Sequence, residues 1–226
     1  MTTRSARSGL TLIEVMIASA VMVMMMALAW RTISNTSQSK RTFEKYEERN
    51  HELRMAIGRV VQDFEHAYLS KNEDGLQSHP RTMFVAKSGR MPEIRFSTMG
   101  HRVLWSDANE SEQTVIQYMS RTSPDKSGAR DWVRREQRRQ SNEPHEDLPS
   151  EYDVLLTDVQ EVKLEFFNWR NLEWQDTWDS TQSDGQKGML PSRVRITVTT
   201  KDPGGNDYKL STQARIVMQE PLNFVQ

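Results

Sequence analysis

The stretch that most constrains this chain is Leu10 to Trp30, 21 residues with a single charged side chain, Glu14. As a helix it would rise about 31 Å, close to the thickness of a bilayer's hydrocarbon core. Ahead of it, Met1 to Gly9 carry Arg4 and Arg7 among small polar residues and no acid. Cations on that flank favour keeping it in the cytoplasm, so the rest of the chain is expected on the far side of the membrane. The mean hydropathy of −0.74 describes the body that follows and hides the span.

A secretory signal peptide has an apolar core of about 7–15 residues, with a small-residue cleavage site after it. The run here is longer, and Ala27-Leu28-Ala29 leads into the bulky Trp30. The Gly9–Leu10 junction, before the run, is the better candidate for processing. Glu14 is the second constraint. A lone carboxylate at the centre of a span costs about 2.5–3.5 kcal/mol on insertion scales, so a partner is expected. No cation lies within the span. The amino terminus of a neighbouring chain would serve. On position alone, the alternative is that Glu14 simply reaches the cytoplasmic interface, four residues beyond Leu10. Met22, Met24, Met25 and Met26 offer thioethers that suit Cu(I). Inside a span, methionine is first a flexible apolar filler, and that reading is preferred.

Gly9-Leu10-Thr11-Leu12-Ile13-Glu14-Val15-Met16-Ile17-Ala18 resembles the class III signal of type IV pilins and type II secretion pseudopilins. The resemblance implies that a prepilin peptidase cuts after Gly9 and methylates the new amino group on Leu10. It also implies a filament-assembly role for Glu14, fifth in the mature chain. One departure is Leu10, where the family usually has Phe.

Lys and Arg (30) nearly balance Asp and Glu (31) in the 226 residues. That leaves no clustered basic excess for a nucleic-acid footprint, and no nucleic-acid partner is expected. There is no cysteine, which excludes disulfide scaffolds, cysteine zinc sites and thiol nucleophiles.

Beyond the span, Arg31 to Lys40 is rich in Ser, Thr and Asn, which compete with helical backbone bonds. It reads as a weak or partly melted helical segment. Leu53, Ile57, Val60, Val61, Phe64 and Tyr68 then recur at helical period. Glu52, Arg54, Arg59, Gln62, Asp63 and Glu65 are assigned to the opposite face, and the helix is expected to end near Leu69, before Asn72 to Gly75. From Lys71 onward the pattern is that of strands, expected at Thr82–Ala86, Ile94–Thr98, Thr114–Met119, Trp132–Gln137, Val159–Asn168, Arg193–Thr200 and Lys209–Met218. Asp202-Pro203-Gly204-Gly205-Asn206-Asp207 is a turn that makes the last two a hairpin. Residues 140–150, acidic and proline-bearing, read as a loop. The expected division is a leader at 1–9, a transmembrane helix at 10–30, the remainder of the N-terminal helix at 31–69 and a β-rich head at 70–226. The fold class is α+β: a long N-terminal transmembrane and amphipathic helix packed on an antiparallel β head, pilin-like in shape.

In the head, Leu155-Leu156-Thr157-Asp158-Val159, Val162 to Phe167, Trp174 to Trp178, and Leu190-Pro191-Ser192-Arg193-Val194-Arg195-Ile196 resemble the J-type minor pseudopilin of type II secretion, as does the helix from Arg54 to Phe64. The resemblance implies a place near the tip of a periplasmic pseudopilus anchored in the inner membrane. I- and K-type minor pseudopilins, other pseudopilins and the prepilin peptidase are its implied partners. The lack of a C-terminal disulfide fits a pseudopilin better than many type IV pilins.

There is no G-x-S-x-G, H-E-x-x-H or Walker loop, and His51-Glu52 lacks a second histidine. His51, His66, His79, His101 and His145 are scattered. Asp176, Asp179 and Asp184 form an acidic loop without the EF-hand spacing, read as a solvated turn rather than a calcium site. Trp169, Trp174 and Trp178 read as core packing before partner anchors. The expectation is a non-enzymatic filament subunit without a cofactor. A minor type IV pilin and a signal-anchored periplasmic domain are the competing readings.

Overall fold

The long helix α1 (Leu12–Glu65) follows from the two apolar patterns in its sequence, one continuous and one periodic. A computed structural model describes residues 11–71, 82–101, 105, 111–138 and 151–223. It divides into two units, residues 1–48 and 49–226. In the first unit, Leu12 to Phe43 are exposed along their whole length. The helix includes an 18-residue window of mean hydropathy 2.3. Residues 31–40, expected to be weak or partly melted, are continuously helical. Their hydroxyls turn inward: Thr32 Oγ1 donates to Leu28 O (3.0 Å) and Thr36 Oγ1 to Thr32 O (2.9 Å). Bonding back on the preceding turn removes the competition for backbone groups that the composition suggested.

In the second unit, the helix buries Leu53, Ala56, Ile57, Val60, Asp63 and Phe64. It stops at Glu65, short of the Leu69 expected from periodicity. Ala67 N–H bonds back to Phe64 O (3.1 Å), and Tyr68 N–H leaves the helix to donate to Ser97 O (3.1 Å). Tyr68 and Leu69 are buried, so their apolar character serves the core as extended chain.

Among the described residues, ten strands form two antiparallel sheets. The first has the order β5 (Tyr152–Leu156), β4 (Arg130–Gln137), β3 (Thr114–Thr122), β2 (Ile94–Thr98), β1 (Phe84–Ala86), β8 (Trp178–Asp179). The second has the order β10 (Asp207–Arg215), β9 (Arg193–Lys201), β6 (Val159–Asn168), β7 (Glu173–Gln175). The hairpin β9–β10 pairs Lys201 with Asp207, and Gly205 N–H closes its turn on Asp202 O (2.9 Å). Residues 140–150, read as a loop, and Asn72 to Gly75, before which the helix was expected to end, lie outside the described residues.

Among the described residues the chain crosses between the sheets three times, after β5, after β7 and after β8. The first crossing is Thr157-Asp158, where Asp158 has φ 50°. Asp tolerates this left-handed region better than most residues. Asp158 N–H donates to Asp131 Oδ1 (3.1 Å), Thr200 Oγ1 donates to Asp158 O (3.3 Å), and Lys126 pairs with its carboxylate. Arg49 Nη2 reaches Thr157 O (2.8 Å), so the helix is tied to this corner. The second crossing lies between β7 and β8, where Trp178 is buried and its Nε1 donates to Met189 O (3.0 Å).

One core joins both sheets and the helix. Phe64 stacks on Phe96 at 4.8 Å between centroids, Tyr118 lies 5.4 Å from Trp132, and Phe84 meets Phe166 edge-on at 5.8 Å. These offsets are the geometries aromatic quadrupoles favour.

Candidate functional site

Glu14 opens the first turn of α1. Its N–H donates to Thr11 O (3.1 Å) and makes a longer contact with Thr11 Oγ1 (3.4 Å). Thr11 thus occupies the N-cap position, with the acid three residues on. A carboxylate there also meets the positive end of the helix macrodipole. The Glu14 side chain is exposed, and so are the apolar residues that follow it. Gly9 and Leu10, the proposed processing junction, lie outside the described residues. The first unit therefore presents an acid at the head of an apolar helix that is exposed among the described residues of that unit.

The head has a second concentration of polar groups that the sequence reading missed. Asp63, assigned there to the solvated face of the helix, is only 4% exposed. Arg134 Nε donates to Asp63 Oδ2 at 2.6 Å and Tyr118 Oη donates to the same oxygen at 2.5 Å. Arg134 Nη1 donates to Glu136 Oε2 (3.0 Å), and His101 Nδ1 lies 3.1 Å from Glu136 Oε1. Burial, with Asp63 beside it, pushes the Tyr118 phenol well above its usual pKa. Burial alone would lower Arg134, but Asp63 and Glu136 outweigh it and hold the guanidinium above its usual value. Burial would likewise raise Glu136, yet Arg134, His101 and Arg138 carry it below the ordinary carboxylate range. Each charge is met by its opposite, so the cluster locks the helix register onto β3 and β4. A signal was available: Ala56, Val60, Asp63 and Ala67 recur at four, three and four, which places Asp63 within an apolar stripe.

The remaining candidates separate. Trp178 is core. Trp169 packs against the core with Nε1 on Leu190 O (3.3 Å), while Trp174 lies on the opposite side of the second sheet, against Phe167. In the acidic loop, Asp179 Oδ1 accepts from Thr181 N–H (2.8 Å) and Oγ1 (2.6 Å). A side chain at Gly185 would come within 2.7 Å of Asp179 O, so this turn needs glycine. Among the described residues, no group of three or more His, Cys, Asp or Glu side chains is placed to hold a metal ion. His51 is exposed, and His66 Nδ1 lies 2.8 Å from Gln62 O. His79 and His145 lie outside the described residues.

Comparison with known proteins follows the same division. Residues 4–30 match the prokaryotic N-terminal methylation motif. Residues 31–206 match the family described as type II secretion system (T2SS), protein J. No curated protein matches the chain. Among solved structures, the chain is similar to the GspK-GspI-GspJ complex of the type 2 secretion system of enterotoxigenic Escherichia coli. That match has 15% identity over 74% of this chain and 97% of the other, with a TM-score of 0.50. It is also similar to the type IV-like pilin TTHA1219 of Thermus thermophilus, at 9% identity over 74% of this chain and 96% of the other, with a TM-score of 0.43. The fold is pilin-like, and with the family match covering most of its length this chain belongs to the protein J family of the type II secretion system, a membrane-anchored minor pseudopilin.

Proposed function

We propose that this minor pseudopilin works without catalysis, as a structural subunit of the pseudopilus tip. It would join I- and K-type minor pseudopilins there and help start filament assembly for export across the outer membrane. The observation that carries the reading is the order of matches on one chain: a methylation motif over residues 4–30 and a protein J head over residues 31–206. The complex of relatives described above supports the choice of partners. The head match also favours this reading over a minor type IV pilin. In this reading the prepilin peptidase cuts between Gly9 and Leu10 and methylates Leu10. The N-terminus begins in the cytoplasm, and the head is periplasmic, in line with Arg4 and Arg7 ahead of the span. Glu14 then meets the amino terminus of a neighbouring subunit, which removes the penalty of a lone acid in the bilayer.

The test is isolation of the full chain from detergent-solubilised inner membranes, with mass spectrometry of its N-terminus and of co-purifying proteins. A chain starting at methylated Leu10, together with I- and K-type pseudopilins, is expected. An intact Met1 start without pilin-like companions would reject the reading.

A further inference from the structure

The outer face of the second sheet carries a charge imbalance that the described residues leave unresolved. Val162, Leu164 and Phe166 of β6 and Val194, Ile196 and Val198 of β9 are buried. Their alternate neighbours, and the β10 residues in register with them, form the opposite face. Across that face Phe167 pairs with both Trp174 and Arg193, and Arg193 pairs with Arg215. Two arginines therefore stand directly opposite one another on adjacent strands, an arrangement that like-charge repulsion disfavours. Both are exposed, and neither side chain makes a hydrogen bond or ion pair with a described residue.

The acid in the next row cannot relieve them. Glu165 already accepts from Lys163 Nζ (3.0 Å) and Arg195 Nη1 (3.3 Å). Arg195 in turn lies 4.0 Å over the Trp174 ring, which sits 5.2 Å from Phe167. Beside the arginine pair is thus an aromatic surface braced by a cation–π contact. Farther along the face Lys209 adds a positive charge, while Lys201 is paired with Asp207 (3.1 Å).

We propose that this face docks an acidic segment of a partner protein, with carboxylates bridging Arg193 and Arg215 and an apolar side chain resting on Trp174 and Phe167. Arginine pairs bind carboxylates through forked, charge-assisted hydrogen bonds. Trp and Arg are the residues most enriched where binding energy concentrates. An open sheet face gives a small anion no enclosure, whereas a peptide presents charges at strand spacing and an apolar group together. The inference is independent of N-terminal processing.

The probe is a short fluorescein-labelled peptide alternating Glu and Thr around one Phe, with a Gln-for-Glu counterpart, titrated against the full chain in non-ionic detergent. The Glu peptide is expected to bind at least about tenfold tighter than the Gln peptide, and more weakly as salt rises. Arg215→Glu should weaken binding about tenfold or more. The same substitution should raise the melting midpoint by about 1–3 °C, because the pair with Arg193 becomes attractive. That opposite movement separates a docking surface from a structural one. The double variant Arg193→Gln/Arg215→Gln gives a second reading, with binding lost and the fold kept. Equal binding of the two peptides, or undiminished binding by either variant, overturns the proposal. So does preference for micelles containing phosphatidylglycerol that the Glu peptide cannot compete away, which would make the face a membrane contact.

Discussion

Asp63 is acidic, yet it occupies the stripe of the helix that faces the sheet, and its Oδ2 accepts from both Arg134 and Tyr118. Removing it would leave the Arg134 guanidinium, 2% exposed, with Glu136 at 3.0 Å and the solvent-exposed Asp153 at 3.9 Å. Breaking a buried pair from one side costs about 3–5 kcal/mol. Asp63→Ala is therefore expected to lower the head's stability by roughly that amount, and Tyr118→Phe by about 1 kcal/mol. Denaturant unfolding of the full chain, followed by tryptophan fluorescence, measures both. Glu136 adds a pH dependence. Its folded pKa lies below the unfolded one, so its contribution is fully present above the unfolded carboxylate value of about 4.3 and is lost as pH falls through the folded value. The acid-induced fall in melting temperature below about pH 4.3 should be shallower in Glu136→Gln. An equally steep fall would show that other carboxylates dominate acid unfolding.

The corner between β5 and β6 decides whether the two sheets share a core. Asp158 holds φ 50° there while its backbone bonds to Asp131 and Thr200. A β-branched residue in the left-handed region costs about 1–2 kcal/mol, and Asp158→Val would also lose the contact with Lys126. Asp158→Asn keeps the conformational tolerance. The expected result is a clear loss of stability in the first variant and near-native stability in the second, read by the same unfolding experiment. Much of this element list was legible. Ile94–Thr98 and Val159–Asn168 coincide with β2 and β6, and the turn chemistry of Asp202 to Asp207 marked the last hairpin. β5 was not legible, because Tyr152 and Val154 are exposed and give no alternation between core and solvent. β7 and β8, at three and two residues, are too short for any period to show.

The buried core runs from Leu53 to Ile216, all within the second unit, whereas Glu14 lies in the first. Glu14→Ala should therefore leave the head's melting temperature unchanged while weakening filament initiation. Secretion in cells at matched expression, beside the melting curve, checks this. Normal secretion by the variant would count against the assembly role.

Local chemistry was enough for the sequence to determine the apolar run long enough to cross a membrane, the N-terminal methylation motif, the position of Glu14 and most of the strands. Each depends on residues a few positions apart: an unbroken apolar length, an acid at a set offset, a period of two, a turn rich in Gly and Asn. Tertiary structure alone decided that Asp63 is buried against Arg134, 71 positions later. It likewise decided that Trp178 belongs to the core while Trp174 faces away from it, and that Arg193 stands opposite Arg215. The reason is that a strand's period says its side chains alternate, but only the neighbouring strand and the layer packed on it decide which side is inside and which charges meet.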